Sequence, residues 1–454
     1  MKLMLNEIAS ALKGNLIGQD LLITGVSIDT RTLKAGDLYI AIKGKNFDGH
    51  DFISQALQAG AAAILVNQKI DTDSAQIVVN DTHLALAELA GYWRRKMPVK
   101  IAGVTGSNGK TSVKEMIAAI FATQGNTLFT QGNLNNDIGV PLTLLRLDEN
   151  HRFAVIEMGA NHPGEIAYTS RYAHADVSVI TNVGPAHIEG FGSIDGVANT
   201  KAEIIESLGS AGVAILNRDD PYYDLWINKA GSRKSVSFGF DPAADIRAKN
   251  ITTRLSDKGF TTEFDLKTVG ATETICLGLA GKHNVKNALA ATAVALQFGI
   301  DLTFIKQALE QVKPVTGRMQ VLQGRQGNIV IDDTYNANPA SLQAALDAIN
   351  HANQPIWLVL GAFGELGDEA AVIHAEMATM IQSHSVQRLF ATGELAKHTV
   401  VAFGSNGQHF DTQEHLIQTL TEAMTGKEII LVKGSRSQKM ENVVAALVDN
   451  FRAN

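Results

Sequence analysis

A chain of 454 residues with a formal net charge of −7 and one cysteine is long enough for about three domains, at roughly 150 residues each. The lone Cys276 excludes an internal disulfide, and the acidic balance excludes a global basic field for nucleic acid. The opening "MKLMLNEIASAL" lacks a sustained apolar core and no run approaches the ~20 apolar residues that span a bilayer. These features predict a soluble, cytoplasmic protein that works on small molecules, with a monomer as the default.

From Met1 to about Met97 the segments are short and mixed. Strands are expected at "GVSID", "DLYIAI" and "AAILV", and helices near "DFISQALQAGA" and "HLALAELAGYW", which makes a small N-terminal α/β domain over 1–97. From Pro98 come "VKIAGV", "FAVIEMG", "VSVITNVG" and "GVAILN", each a wholly apolar strand pattern of the kind buried in parallel sheets between helices. They predict a central, P-loop-type α/β domain over 98–312. After "LEQVKPVTGR" the alternation restarts with "NIVIDD", a helix from Pro339, "IWLVLGAF", "RLFATG" and "EIILVKG", each strand followed by a helix. A C-terminal Rossmann-like domain over 313–454 follows from that pattern.

The stretch "VTGSNGKTS" joins the first central strand to a helix whose face is marked by Val113, Met116, Ile117, Ile120 and Phe121. Strand, glycine loop and helix N-terminus is the arrangement in which backbone N–H groups hold a polyphosphate. The loop departs from the usual P-loop, because the place five residues before Gly109 is Val104 and Gly103 comes one step earlier. Lys110 is placed to reach the β- and γ-phosphates of ATP and the Thr111 hydroxyl to take Mg²⁺. Read as residues alone, Glu157 is a carboxylate at a strand end, Lys201 a solvated helix lysine, and Asn284 a helix cap or a base contact.

The loop "TGSNGKT" resembles that of the Mur ligase family, ATP-dependent ligases of bacterial cell-wall precursors. So do "NVGPAHIEGFGS", "GKHNVKNALAA", "DDTYNANPAS" and "VKGSRSQKME", which stand in the family's order across all three expected domains. The runs "SIDTRTLKAGDLYIAIKGKNFDGHDF" and "GNLNNDIGVPLTLL" are most similar to the branch that adds D-alanyl-D-alanine to UDP-N-acetylmuramoyl-tripeptide.

The resemblance implies a reaction in which ATP phosphorylates a carboxylate and an amine attacks the acyl phosphate. It implies that Thr105, Gly106, Ser107, Asn108, Gly109, Lys110 and Thr111 bind ATP phosphates. Asn284 and Asn287 would bind the base, and Arg318, Asp333 and Asn336 the phosphates and ribose. Thr111, Glu157 and His187 would hold Mg²⁺ together with Lys201, the last as a carbamate. Lys110, Glu157, His187 and Lys201 would form the catalytic group. Ser27, Arg31, Lys43, Asn46, Phe47 and Asp48 would hold the UDP substrate, and Asn135 and Asn136 its peptide stem or phosphates. Lys433, Ser435 and Arg436 would lie on the acceptor side, where a solvated basic turn is the plainer reading.

Two departures bear on the acceptor. Ala362 and Phe363 stand before "GELG", where that branch is expected to carry an Asp-Met pair, and "NANP" stands where the branch adding the third amino acid carries a "DNPR"-like stretch. Two other readings stay open at this point: a sister amide ligase such as a folylpolyglutamate-synthase-like enzyme, and an ATPase switch that ligates nothing.

Overall fold

Apolar runs of strand length become buried sheet centres in all three expected regions. The computed structural model describes residues 1–44, 46–184, 188–449 and 451. The N-terminal sheet runs in the spatial order Asn15–Ile17, Gln76–Val78, Ala63–Val66, Asp37–Ile40 and Gly25–Ser27, parallel throughout except for the antiparallel first strand. The "DFISQALQAGA" segment splits into a 3-10 turn, Gly49–Phe52, and a short helix, Ile53–Gln58.

The helix Thr82–Lys96 ends this region yet packs against the next one. Its Trp93 Nε1 donates to the Leu147 carbonyl at 2.9 Å and its Arg94 Nε to the Ala173 carbonyl at 3.0 Å. One apolar core therefore continues from Leu5, Ile8 and Leu86 to Ile101, Ile156 and Trp226.

Among the described residues the central sheet has nine strands, seven of them parallel in the order Ile246–Ser256, Lys234–Gly239, Val213–Asn217, Val177–Ile180, Lys100–Thr105, Phe153–Glu157 and, on the far edge, Thr127–Phe129. Beyond Ile246–Ser256 the sheet turns antiparallel through Gly259–Lys267 and Thr272–Leu277, a meander without wholly apolar runs. Its strands alternate buried and exposed residues, as one-sided sheets do. The tip of this hairpin reaches into the C-terminal domain, where Phe260 and the flanking Leu255 pack with Met319, Ile331 and Leu342.

The C-terminal sheet is Rossmann-like. Ile329–Asp333, Ile429–Lys433, Ile356–Gly361, Val386–Thr392 and Gly407–Phe410 are parallel, and Gln320–Gln323 pairs antiparallel on one edge. The helix Gly281–Gln297, alanine-rich and almost wholly buried, lies between the phosphate-loop helix and the C-terminal helix Pro339–Ile349. Among the described residues no helix is long and apolar enough to cross a membrane.

Candidate active site

A cleft of about 1490 Å³ opens where the carboxyl ends of the central strands face the C-terminal domain. Sites for one small molecule run to about 300–1,000 Å³, so this space exceeds what a single nucleotide fills. Its floor is the glycine loop. Gly106 sits at φ 145°, where an added Cβ would stand 1.9 Å from Thr181 Oγ1; Gly109 sits at φ 81°, where one would stand 2.5 Å from Asn287 Oδ1. Only glycine fits either place.

The loop is pinned from beneath. Ser107 N–H donates to the Asn182 carbonyl and Asn108 N–H to Asn182 Oδ1, both at 2.9 Å, while Thr181 Oγ1 donates to the Asn108 carbonyl at 2.6 Å. Thr105 does not line the cleft. It is fully buried, and its hydroxyl donates to the Met158 carbonyl at 2.8 Å, so it braces the loop from below and its side chain has no path to a nucleotide.

Lys110 opens the helix Lys110–Ala122 and folds over its own loop, donating from Nζ to the Gly106 carbonyl at 2.7 Å and the Ser107 carbonyl at 3.1 Å. Burial first, and then the Arg318 charge, push its pKa down, while Glu157 pulls it up. Next along the helix, the Thr111 hydroxyl faces Glu157 Oε1 at 3.4 Å and accepts from Arg318 Nη2 at 3.1 Å.

Glu157 ends the strand Phe153–Glu157 and is only 2% exposed. Its Oε1 accepts from Asn135 Nδ2 at 2.8 Å, and its Oε2 is buried without a hydrogen-bond donor. A buried carboxylate oxygen with both lone pairs open, beside a hydroxyl at a phosphate loop, is a donor set that suits a hard divalent cation. Among the described residues no three of His, Cys, Asp and Glu converge on one point. Thr111 and Glu157 are thus the described residues whose oxygens could hold such a cation, and His187 lies outside the described residues.

Lys201, on the helix Ile194–Glu206, is not the solvated lysine its sequence suggests. It is 2% exposed, and its Nζ lies 5.4 Å from the centre of the Phe191 ring. Desolvation, reinforced by the Lys110 charge, lowers its pKa to about 7. It lines the same cleft as Lys110 and Glu157.

From across the cleft the C-terminal domain contributes three groups. The Arg318 guanidinium stacks 4.3 Å from the Tyr335 ring and reaches Thr111. Asn338, which caps the helix Pro339–Ile349, donates from Nδ2 to Asn108 Oδ1 at 2.9 Å. Asp333, the last residue of its strand, accepts from Met319 N–H at 3.2 Å and pairs with Lys433 Nζ at 2.6 Å.

That pair corrects the reading of "VKGSRS" as a solvated basic turn. The Lys433 side chain is 1% exposed, and its second bond goes to the Asn336 carbonyl at 3.3 Å. Ser435 is buried and accepts from Gly364 N–H at 2.8 Å. Of Lys433, Ser435 and Arg436, the last is open to solvent, pairing with Glu441 at 3.3 Å.

Asn284 and Asn287 are both buried in the helix Gly281–Gln297 and joined to each other, Asn287 Nδ2 to Asn284 Oδ1 at 3.1 Å. The cap position belongs to Ala280, to whose carbonyl Asn284 Nδ2 donates at 2.9 Å, so Asn284 is not the helix cap.

Asn135 and Asn136 also line the cleft. A strand, Thr127–Phe129, separates them from the phosphate-loop helix, and Asn136 Oδ1 accepts from Gly139 N–H at 2.8 Å at the start of the helix Gly139–Leu144. The other residues expected at the UDP substrate do not line this cleft. Ser27, Arg31, Lys43 and Asp48 gather instead near Tyr39, at the carboxyl ends of the strands Gly25–Ser27 and Asp37–Ile40. Asn46 and Phe47 belong to the same loop, and Phe47 is 74% exposed.

Sequence reasoning missed Asn182, Asn338 and Lys114. The last carried a signal, since it lies four residues after Lys110 and so on the same helix face. At the unusual "GAF", Ala362 and Phe363 are buried, Phe363 edge-on to His374 with centroids 5.8 Å apart, and Glu365 two residues later lines the cleft.

The fold and this cleft define a three-domain protein whose phosphate loop is completed by a C-terminal Rossmann-like domain. The chain matches the Mur ligase middle domain over residues 104–295, the Mur ligase glutamate ligase domain over 317–436, and the Mur ligase family catalytic domain over 22–100. It is 42% identical over 449 residues to UDP-N-acetylmuramoyl-tripeptide–D-alanyl-D-alanine ligase of Escherichia coli K12, covering 98% of each chain. It is 36% identical to the enzyme of that name in Bacillus subtilis, covering 99% of each. The chain belongs to the Mur ligase family. Among solved structures it is similar to MurF from Acinetobacter baumannii, with a TM-score of 0.92, 35% identity and 98% of each chain covered. It is also similar to MurF ligase from Thermotoga maritima in complex with ADP, with a TM-score of 0.83, 28% identity, and 93% of this chain and 96% of that one covered.

Proposed function

We propose that the protein is the ATP-dependent ligase that joins D-alanyl-D-alanine to UDP-N-acetylmuramoyl-tripeptide, giving the UDP-linked pentapeptide, ADP and phosphate. The observation that carries this reading is similarity along the whole length to ligases of that name, coupled with a cleft whose floor is a phosphate loop. The folylpolyglutamate synthase of Mycobacterium tuberculosis is 19% identical and shares the fold alone.

Phosphoryl transfer leaves a protein little covalent work, so positioning and neutralisation of charge dominate. The loop N–H groups of Gly106 to Thr111 cradle the phosphates, and Lys110 swings from its own loop carbonyls onto them. Arg318 moves from the Thr111 hydroxyl to the transferring phosphoryl group. Asp333, held by Lys433, receives the ribose, and the joined Asn284 and Asn287 amides face the base. When bound, Mg²⁺ would be held by Thr111 and Glu157, with His187 and a carbamate of Lys201 as further ligands, and would further neutralise the phosphoryl charge. A lysine pKa of about 7 supports the carbamate, because the neutral amine is the form that takes up CO₂ and at neutral pH about half of it is neutral.

The N-terminal loop cluster around Ser27, Arg31, Lys43, Asn46, Phe47 and Asp48 binds the UDP group, and Asn135 and Asn136 lie toward the peptide stem. Ser435 and Arg436 face the acceptor. The domains divide near Met97 and Val312. ATP and a UDP-linked substrate are cytoplasmic metabolites, and we place the enzyme there as a monomer.

The test is mass spectrometry of the product formed from ATP, Mg²⁺ and UDP-N-acetylmuramoyl-tripeptide, with D-Ala-D-Ala, meso-diaminopimelate and L-glutamate offered in turn. Ligation of D-Ala-D-Ala alone supports the reading; preference for a single amino acid replaces it with a sister ligase; phosphate release without product replaces it with a switch.

A further inference from the structure

The proposed metal site has a buried neighbour that none of this chemistry uses. Lys114, on the phosphate-loop helix, has a side chain 2% exposed. Its Nζ donates to the Thr130 carbonyl at 2.8 Å and meets Glu115 Oε1 at 3.0 Å. It stands 3.9 Å from Glu157 Oε2, too far for a hydrogen bond and close enough for strong attraction where water is absent. Thr130 binds both partners, since its hydroxyl accepts from Glu157 N–H at 3.0 Å. Lys114 is thus fixed by other groups at a distance that compensates the Glu157 charge while leaving Oε2 without a donor.

A buried carboxylate needs a compensating charge before any nucleotide arrives. Lys110 and Arg318 also sit at this point, one coupled electrostatically to Glu157 and the other bonded to Thr111. With Lys114 they present three cations to the carboxylates Glu157 and Glu115. A free divalent cation entering here meets net positive charge, whereas one entering with a polyphosphate does not.

We propose that Lys114 is a positioning residue and resident counter-ion for Glu157: it orients the carboxylate with Oε2 open and, by its charge, keeps a divalent cation out until nucleotide phosphates come with it. This rests on the reading of Glu157 as a metal ligand.

The probe is Mn²⁺, titrated by electron paramagnetic resonance into the full-length protein with and without ADP. Lys114→Met should bind Mn²⁺ without nucleotide about tenfold or more tighter than wild type, and Lys114→Arg should behave as wild type. A folded Lys114→Met protein whose nucleotide-free affinity stays within twofold of wild type overturns the proposal. Should that variant not fold, Lys114→Gln placed on Glu157→Gln decides by thermal midpoint. The double variant melting above Glu157→Gln alone supports charge compensation, and melting at or below it refutes it. The underlying metal reading fails separately, if Glu157→Gln binds Mn²⁺ with ADP as tightly as wild type does.

Discussion

Replacing Lys201 by Met should stabilise the protein while removing its activity. The ammonium is 2% exposed, and its pKa falls from the ordinary 10.5 to about 7, chiefly through desolvation. Above pH 10.5 neither the folded nor the unfolded chain holds the proton, and the lysine carries no penalty. As pH falls from 10.5 toward 7 the unfolded chain takes up a proton that the folded chain refuses, and stability drops by about 1.4 kcal/mol per pH unit. Below pH 7 both states are protonated and the loss levels off.

The gap between 10.5 and about 7 therefore amounts to roughly 4 kcal/mol at pH 7. Methionine has nearly the same length and no charge, so Lys201→Met should recover about 2–4 kcal/mol at pH 7 and almost none at pH 10.5. For a domain of this size each kcal/mol moves the unfolding midpoint by about 2–4 °C. Thermal unfolding in CO₂-free buffer across pH 7–10 reads this directly, alongside a ligation assay. A midpoint at pH 7 no higher than wild type, or a gain that grows with pH, refutes the argument. Added bicarbonate should raise the wild-type midpoint at pH 7 and leave that of Lys201→Met unchanged.

Lys110→Ala should keep the fold, because the side chain bonds only loop carbonyls, yet lower ligation by more than about a hundredfold at saturating ATP. Activity within a few-fold of wild type in a phosphate-release assay counts against the phosphate-loop assignment. Lys433→Met should cost about 3–5 kcal/mol by leaving the Asp333 carboxylate unpaired, and should weaken ADP binding as well. Calorimetry of both quantities checks this, and ADP affinity equal to wild type would separate Asp333 from the nucleotide.

The parallel strands were legible because burial on both faces forces continuous apolar runs, and the phosphate loop because Gly106, Gly109, Lys110 and Thr111 lie within six residues of one another. The antiparallel meander was not, since residues such as Arg247, Lys249 and Arg254 alternate with buried or half-buried ones and dilute the apolar signal. The burial of Lys201 and Lys433, which residue type alone would leave solvated, was hidden for another reason. A lysine's environment is set by what packs over it, and the Asp333 that buries Lys433 lies a hundred residues earlier in the chain. The surroundings of the buried oxygen on Glu157 likewise follow only from three separate elements meeting in space: the strand that ends at Glu157, the helix that carries Thr111 and Lys114, and the loop that carries Asn135.

The hairpin Ile246–Lys267 belongs by sequence to the central region but ends inside the core of the next one, with Phe260 against Met319 and Ile331. The C-terminal region is therefore not a detachable module. Cutting the chain between Val312 and Gly317 would leave the two pieces held together by a buried aromatic plug, and expressing residues 313–454 alone would lay bare the apolar seat that Phe260 fills, producing a fragment prone to aggregate.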